Sequence, residues 1–130
     1  MFTQIKETCL YIEDLDATEA FYHGKLGLPV IHRSAGRHVF FRAGSSVLLC
    51  FIAAATRAEA TLPPHFATGK QHIAFECEAA AYPAWKARLH AAGIAITHEQ
   101  HWPSGQQSCY FEDPDGHVLE VVPAGVWDPR

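Results

Sequence analysis

The sequence predicts an α+β protein built from two tandem βαβββ modules, whose mixed sheets curve into a cup. Short runs that alternate apolar and polar residues predict strands, and a helical stretch follows the first strand of each half. The two halves also repeat each other, which indicates two copies of one supersecondary unit. Three pairs of segments align between the halves: 7–12 with 72–77, 40–42 with 110–112, and 46–49 with 117–120.

The repeat sets the expected boundaries within one compact domain. Residues 1–53 form the first module, and residues 71–123 form the second. Residues 54–70 are rich in Ala and Thr, contain consecutive prolines and show no period, which is typical of a linker or mobile flap. Residues 124–130 form a tail without a pattern of its own.

The first module begins with a strand candidate over residues 5–12, where polar and apolar side chains alternate. A helix follows, and either Asp14 or Asp16 can cap it, with Glu19 placed as in a capping box and Gly27 beyond its end. Strands are then predicted at 30–32, 38–42 and 47–53.

The second module repeats this order. Residues 72–77 alternate like the first strand, and a helix follows with Pro83 in its first turn and Gly93 past its end. Three further strands complete the module, at 94–98, 108–112 and 118–122.

Composition excludes several classes of protein. The 130 residues are 48% hydrophobic and carry a net charge of −4, with no Lys/Arg stripe of the kind that binds nucleic acid. No apolar run approaches a membrane span, and no signal peptide is recognisable, so we expect a cytoplasmic protein. The four cysteines lie in apolar, strand-like runs, which favours reduced and buried thiols over disulfides: Cys9, Cys50, Cys77 and Cys109.

One stretch, residues 110–120, is predicted to form a strand, a tight turn and a second strand. Pro114 and Gly116 suit the turn, and the apolar run Val-Leu-Glu-Val-Val follows it. Glu120 interrupts that run with a carboxylate, and a buried charge is costly unless a cation or hydrogen-bond donor meets it. Glu120 is therefore expected either to face a wet cavity or to hold a metal.

Three residues of ligand type fall on the predicted cup face: Glu7, His72 and Glu120. Glu7 and His72 are mates in the repeat. Two carboxylates and one imidazole suit Fe, Mn, Ni, Co or Zn, and three protein ligands leave positions open for water or substrate. Taken singly, each residue is better explained without a metal: Glu7 and Glu120 as exposed polar residues, and His72 as a hydrogen-bonded histidine. Their matching positions favour a divalent metal site.

These residues resemble the vicinal oxygen chelate superfamily, which includes glyoxalase I, extradiol dioxygenases, fosfomycin-resistance thiol transferases and bleomycin-resistance proteins. The resemblance runs from Glu7 to Val122 and implies paired βαβββ modules, a homodimer, and a metal that the substrate chelates through two adjacent oxygens. Most metal-binding members have histidine where this chain has Glu7. The resemblance is carried by Asp14, Leu15, Phe21, Tyr22 and residues 26–28 in the first half, and by residues 72–75 and 110–120 in the second.

Within the superfamily, two further residues favour the extradiol dioxygenases. His101, then Tyr110 nine residues later, then Asp-Pro-x-Gly and Glu120 resemble their signature. The resemblance implies that Tyr110 and His101 are catalytic, donating to a bound oxygen or moving a proton. Leu49 cannot supply the fourth ligand of glyoxalase I. A fosfomycin transferase ranks third, because no basic cluster near residues 104–108 would bind a phosphonate.

Two functions from different classes follow. The first is a metal-dependent enzyme of the glyoxalase or extradiol dioxygenase type, acting on a small substrate such as a catechol, hydroxy-ketone or thiohemiacetal. The second is a metal-free protein of the bleomycin-resistance type that sequesters an aromatic or cationic small molecule, with Tyr11, Phe40 and Tyr110 lining the cup. A shared fold does not decide between them.

Overall fold

A computed structural model describes residues 1–128, so Pro129 and Arg130 of the expected tail lie outside the described residues. The chain divides into two compact units, Met1–Gly69 and Lys70–Arg130. No helix within the described part is long and apolar enough to cross a membrane.

The first module holds one four-stranded sheet in the order β1-β4-β3-β2. β1 runs parallel to β4, and the other neighbours are antiparallel. Its elements are β1 Glu7–Ile12, α1 Leu15–Glu19 continuing as a π-helix over Ala20–Lys25, β2 Val30–Ser34, β3 His38–Ala43, β4 Ser46–Ile52 and α2 Ala53–Arg57.

The second module repeats this topology, with strand order β5-β8-β7-β6 and a parallel β5/β8 pair. The predicted α+β class and the two βαβββ modules are thereby confirmed. Its elements are β5 His72–Cys77, a short 3₁₀ turn Ala79–Ala81, α3 Tyr82–Ala91, β6 His98–His101, β7 Gln107–Glu112 and β8 Val118–Pro123.

Each sheet buries one face beneath the helix of its own module. Side chains on successive strand residues alternate between faces, so one apolar set in each sheet meets the helix. In the first module the Tyr22 ring lies 5.5 Å from that of Phe41, between centroids. The buried side chains on this side include Leu10, Val39, Phe41, Leu48 and Cys50 in the first module, and Cys109, Phe111, Leu119 and Val121 in the second. The opposite face of each sheet is called the front face below.

The first helix begins as its sequence predicts and then widens. Asp14 is the cap, because its Oδ1 accepts from the Ala17 amide at 3.0 Å. After Glu19 the turns become π-type, and the Leu26 amide donates to the Phe21 carbonyl at 3.0 Å. The wider turn keeps both Phe21 and Leu26 buried.

Two local predictions differ from the structure. The expected strand at 94–98 is instead β6, which starts at His98, because the preceding residues finish the helix. Gly93 has a φ of 74°, and the Ile94 amide donates to the Leu89 carbonyl at 2.9 Å. Within the expected linker, α2 runs directly out of β4.

Candidate metal and substrate site

A tight turn fixes where β8 begins. The Asp113 side chain is buried, and its Oδ1 accepts from the amides of Asp115 and His117, both at 2.9 Å. Gly116 supplies a φ of 81°, which other residues rarely adopt. This hydrogen-bonded turn sets the register of β7 against β8, and hence the position of Glu120.

Glu120 lies on the front face of an inner strand. It pairs with Tyr110 of β7 on one side and with Ala74 of β5 on the other. Paired residues project from the same face, so the carboxylate stands among these neighbours. Glu120 is only 6% exposed, and a buried carboxylate requires a compensating partner.

His72 lies beside this carboxylate. Its Nε2 lies 3.4 Å from Glu120 Oε1, while its Nδ1 is 2.8 Å from the carbonyl oxygen of Val118. Because a carbonyl only accepts, Nδ1 carries a proton and donates. In the neutral imidazole, Nε2 then presents a lone pair toward the carboxylate. Two acceptors face each other, and only a proton or a cation between them makes the contact favourable.

Tyr110 completes this cluster. Its ring stacks on the His72 ring, with centroids 6.0 Å apart and planes at 20°. Burial raises the pKa of the Tyr110 hydroxyl, and so do the charge of Glu120 and a hydrogen bond to it, while a hydrogen bond with Ser108 opposes them. The hydroxyl therefore stays protonated near neutral pH and can donate.

The His72 and Glu120 pair fits a divalent metal ion. Two ligand atoms about 2.1 Å from an ion at a tetrahedral angle stand about 3.4 Å apart, the distance observed between Nε2 and Oε1. A backbone carbonyl that orients the other imidazole nitrogen is the usual support for a ligating histidine. Within residues 1–128, no group of three or more His, Cys, Asp or Glu side chains is arranged to hold a metal.

Glu7 occupies the position in the first module that His72 occupies in the second. Glu7 pairs with Val47 in β4, and His72 pairs with Val118 in β8, each in a parallel ladder. Glu7 is exposed at the start of β1. The repeat alignment that singled out Glu7 is therefore reproduced by the strand register.

The structure does not bring His101 to Tyr110. His101 pairs with Gln107, whose Nε2 lies 3.5 Å from Glu99, and Glu99 forms an ion pair with Lys86 of α3. His101 therefore projects from the helix side of the sheet.

His98 is the histidine that pairs with Tyr110, and their ring centroids are 5.6 Å apart. Sequence reasoning missed His98 because the predicted strand 94–98 ended there, and the sequence alone favours a surface or structural role for His98. Pairing the residues of the β6/β7 hairpin, starting from Tyr110, would have placed His98 opposite it.

These elements and this register invite comparison with known proteins. A model of the glyoxalase/bleomycin resistance protein/dioxygenase superfamily matches residues 4–121. The chain belongs to this superfamily.

Individual superfamily members show how far the likeness extends. The structure of lactoylglutathione lyase from Agrobacterium tumefaciens is 35% identical, with 100% of both chains covered and a TM-score of 0.93. FosX from Listeria monocytogenes, 22% identical over 93% of this chain and 90% of its own with a TM-score of 0.68, shares the fold. Metallothiol transferase FosB from Bacillus licheniformis is 36% identical over 58 residues, which are 44% of this chain and 38% of that relative's length.

Proposed function

We propose that the chain is a metal-dependent enzyme that acts on a small substrate bound to the ion through two adjacent oxygens. His72 and Glu120 of the second module are two ligands, and the sequence repeat predicts Glu7 as the third. The observation that carries the proposal is the 3.4 Å approach of His72 Nε2 to a buried Glu120 oxygen, with Nδ1 held by Val118. Without a cation or a proton, that approach sets a lone pair against a carboxylate.

The residues divide the chemistry between them. A bound divalent ion would supply Lewis acidity at two adjacent oxygens of the substrate. Tyr110 keeps its proton and offers it in a hydrogen bond to a substrate oxygen on which negative charge develops. The Val118 carbonyl holds the His72 imidazole in one tautomer and one orientation. Proton handling is assigned to Tyr110, and His101 faces away from it.

Relatives support the substrate class in outline. The FosX structure contains Mn(II) together with dihydroxypropylphosphonic acid, a compound with hydroxyl groups on neighbouring carbons. The lactoylglutathione lyase shares 35% of its residues with this chain over the full length. In this chain Leu49 stands where glyoxalase I has its fourth metal ligand, and a leucine side chain cannot bind a metal. The proposed substrate is therefore defined only as a compound with two adjacent oxygens.

Metal content tests the ligands directly. We expect about one Mn, Fe, Ni, Co or Zn per chain after reconstitution, measured by elemental analysis and titration calorimetry. His72→Ala and Glu120→Gln should each weaken affinity at least about a hundredfold, because one of few ligands is lost. His90→Ala, on the exposed side of α3, is the matched control. Unchanged stoichiometry and affinity in His72→Ala would refute the assignment.

Turnover then tests Tyr110. Tyr110→Phe removes only the hydroxyl, so metal affinity should stay near wild type while kcat falls about a hundredfold. Catechols, hydroxy-ketones and thiohemiacetals are the compounds to screen, with and without air. A Tyr110→Phe protein that keeps full kcat would leave the tyrosine with a structural role only.

A metal-free binding protein is the second candidate. Aromatic side chains that could contact a planar ligand support this candidate. Three of them project from the front face of the first module: Tyr11, Phe40 and Phe51. Such a protein would bind its ligand equally well in the presence of a chelator, whereas the enzyme would not. We expect a homodimer in either case, which sedimentation equilibrium would test.

A further inference from the structure

A chain of three hydrogen-bonding side chains crosses the front face of the first module. An Arg37 guanidinium nitrogen lies 2.6 Å from His38 Nδ1, and His38 Nε2 lies 2.7 Å from His32 Nδ1. His38 is the first residue of β3, and Arg37 directly precedes it. His32 lies on the neighbouring strand, β2. All three are remote in sequence from His72, Tyr110 and Glu120.

Arginine fixes the direction of this chain. A guanidinium has only donors, so His38 Nδ1 must accept, which places the His38 proton on Nε2. His38 Nε2 then donates to His32 Nδ1. His32 in turn carries its proton on Nε2, and among the described residues nothing accepts from that N–H. This series of hydrogen bonds therefore ends at the His32 Nε2–H group, which is a donor.

The surroundings hold the middle of the chain rigid and neutral. His38 is 5% exposed and stacks on Phe40, with ring centroids 3.9 Å apart and planes at 11°. Burial, then Arg37, then His32 lower the pKa of His38 to about 4. Arg37 is itself held by Glu59 at 3.5 Å and lies over the Phe51 ring. Adjacent hydrogen bonds polarise one another, so the His32 N–H is a stronger donor than an isolated imidazole.

A β-bulge places His32 on the front face. The register shifts between Val30 and His32, so Ile31 is the extra residue and His32 lies opposite Phe40. In the second module the matching pair is His98 and Tyr110, beside the proposed ligands. His32 in the first module therefore corresponds to His98 in the second module, which borders the proposed metal site.

We propose that His32 Nε2–H is the anchor of a second binding site, which takes the carboxylate of a small aromatic acid. The N–H donates to a carboxylate oxygen, and the half-exposed Phe40 ring, 6.0 Å from the His32 ring, contacts the aromatic part. The site uses no ligand of the proposed metal centre, so either can exist without the other.

Histidine NMR on metal-free protein tests the proposal, with a chelator present and benzoate as the probe. In the free protein, ¹H–¹⁵N spectra should show His32 and His38 protonated at Nε2. Saturating benzoate should move the His32 Nε2–H signal to lower field, and acetate should bind about tenfold more weakly because it lacks the ring. A His32 that is protonated at Nδ1, or benzoate shifts that miss His32, would overturn the site.

Variants separate the donor from its support. His32→Phe should weaken benzoate binding about tenfold or more, because a hydrogen bond to a charged acceptor is lost. Arg37→Met should weaken it less, since it removes only the residue that sets the direction of the chain. His90→Phe, on an exposed helix surface, should bind benzoate like wild type. Equal affinity in His32→Phe and wild type would overturn the proposal, and binding that requires added metal would assign benzoate to the other centre.

Discussion

Leu49 and Glu120 occupy the same position in the two modules. Each lies on the inner strand that pairs in parallel with the first strand of its module, opposite Cys9 and Ala74 respectively. On the other side Leu49 pairs with Phe40, and Glu120 pairs with Tyr110. The first module thus shows what the front face looks like when this position is apolar.

Replacing Tyr110 and Glu120 by the residues at the matching positions of the first module, Phe and Leu, should remove metal binding and stabilise the fold. In metal-free protein, Tyr110→Phe/Glu120→Leu should raise the free energy of unfolding by about 1 kcal/mol or more, because a buried carboxylate and its partner hydroxyl are both removed. Metal affinity should disappear. Urea denaturation with a chelator measures the first effect, and calorimetry the second.

The Glu120→Leu single variant is the control for that exchange. It leaves the Tyr110 hydroxyl without its acceptor, so it should be less stable than the double variant. A double variant that is clearly less stable than wild type would mean that the carboxylate stabilises the fold even without metal.

The turn before β8 should depend on one oxygen. Asp113→Ala removes the acceptor for the amides of Asp115 and His117, and His117 is only 2% exposed. We expect a loss of about 2 kcal/mol in unfolding free energy. Asp113→Asn keeps an oxygen at that place and should lose less. Similar losses in both variants would show that the charge, rather than the acceptor, matters.

The neutral state of His38 should make the protein sensitive to mild acid. Its pKa in the folded state is about 4, below the usual value near 6.5, so the unfolded chain binds the proton first as pH falls. This contribution to stability is complete above pH 7 and is lost progressively between about pH 6.5 and 4, by on the order of 1–3 kcal/mol.

His38→Gln isolates that contribution. Glutamine can still accept from Arg37 and donate to His32, but it does not titrate. Denaturant midpoints measured from pH 7 to 4.5 should fall less steeply in the variant than in wild type. Parallel slopes would remove His38 as the cause.

Gly93 should be needed for its backbone conformation alone. Its φ is 74°, and a Cβ there would meet no atom within 4 Å, so Gly93→Ala tests strain without crowding. We expect a loss of about 1 kcal/mol in unfolding free energy. Gly24, in the π-helix, has equally open surroundings and no positive φ. Gly24→Ala should be neutral or slightly stabilising, and equal losses at both positions would contradict the argument.

The repeat made the fold predictable. Strand alternation and the alignment of the halves gave the two βαβββ modules, and the family match over residues 4–121 confirms the superfamily. The same alignment paired Glu7 with His72 and Leu49 with Glu120, because a parallel ladder copies sequence spacing directly into space. The proximity of His72 to Glu120 follows from that register.

The features that were missed depend on local backbone events. Ile94 ended a helix instead of starting a strand, because Gly93 turned the chain and the Ile94 amide bonded back to Leu89. The predicted strand 94–98 stopped short of His101, so the sequence alone did not reveal that His98 and His101 project from opposite faces of β6. The chain from Arg37 to His32 was also hidden, since it depends on one extra residue in β2.

The bulge at Ile31 also affects how the protein behaves at high concentration. β2 is an outer strand of its sheet, and it carries the exposed apolar residues Val30 and Ile31. A regular apolar edge would offer a continuous row of amides and carbonyls to another molecule and would invite fibril-like stacking. The extra residue bends the strand and breaks that row. We therefore expect deletion of Ile31 to reduce colloidal stability, because it would straighten an edge that the native chain keeps irregular.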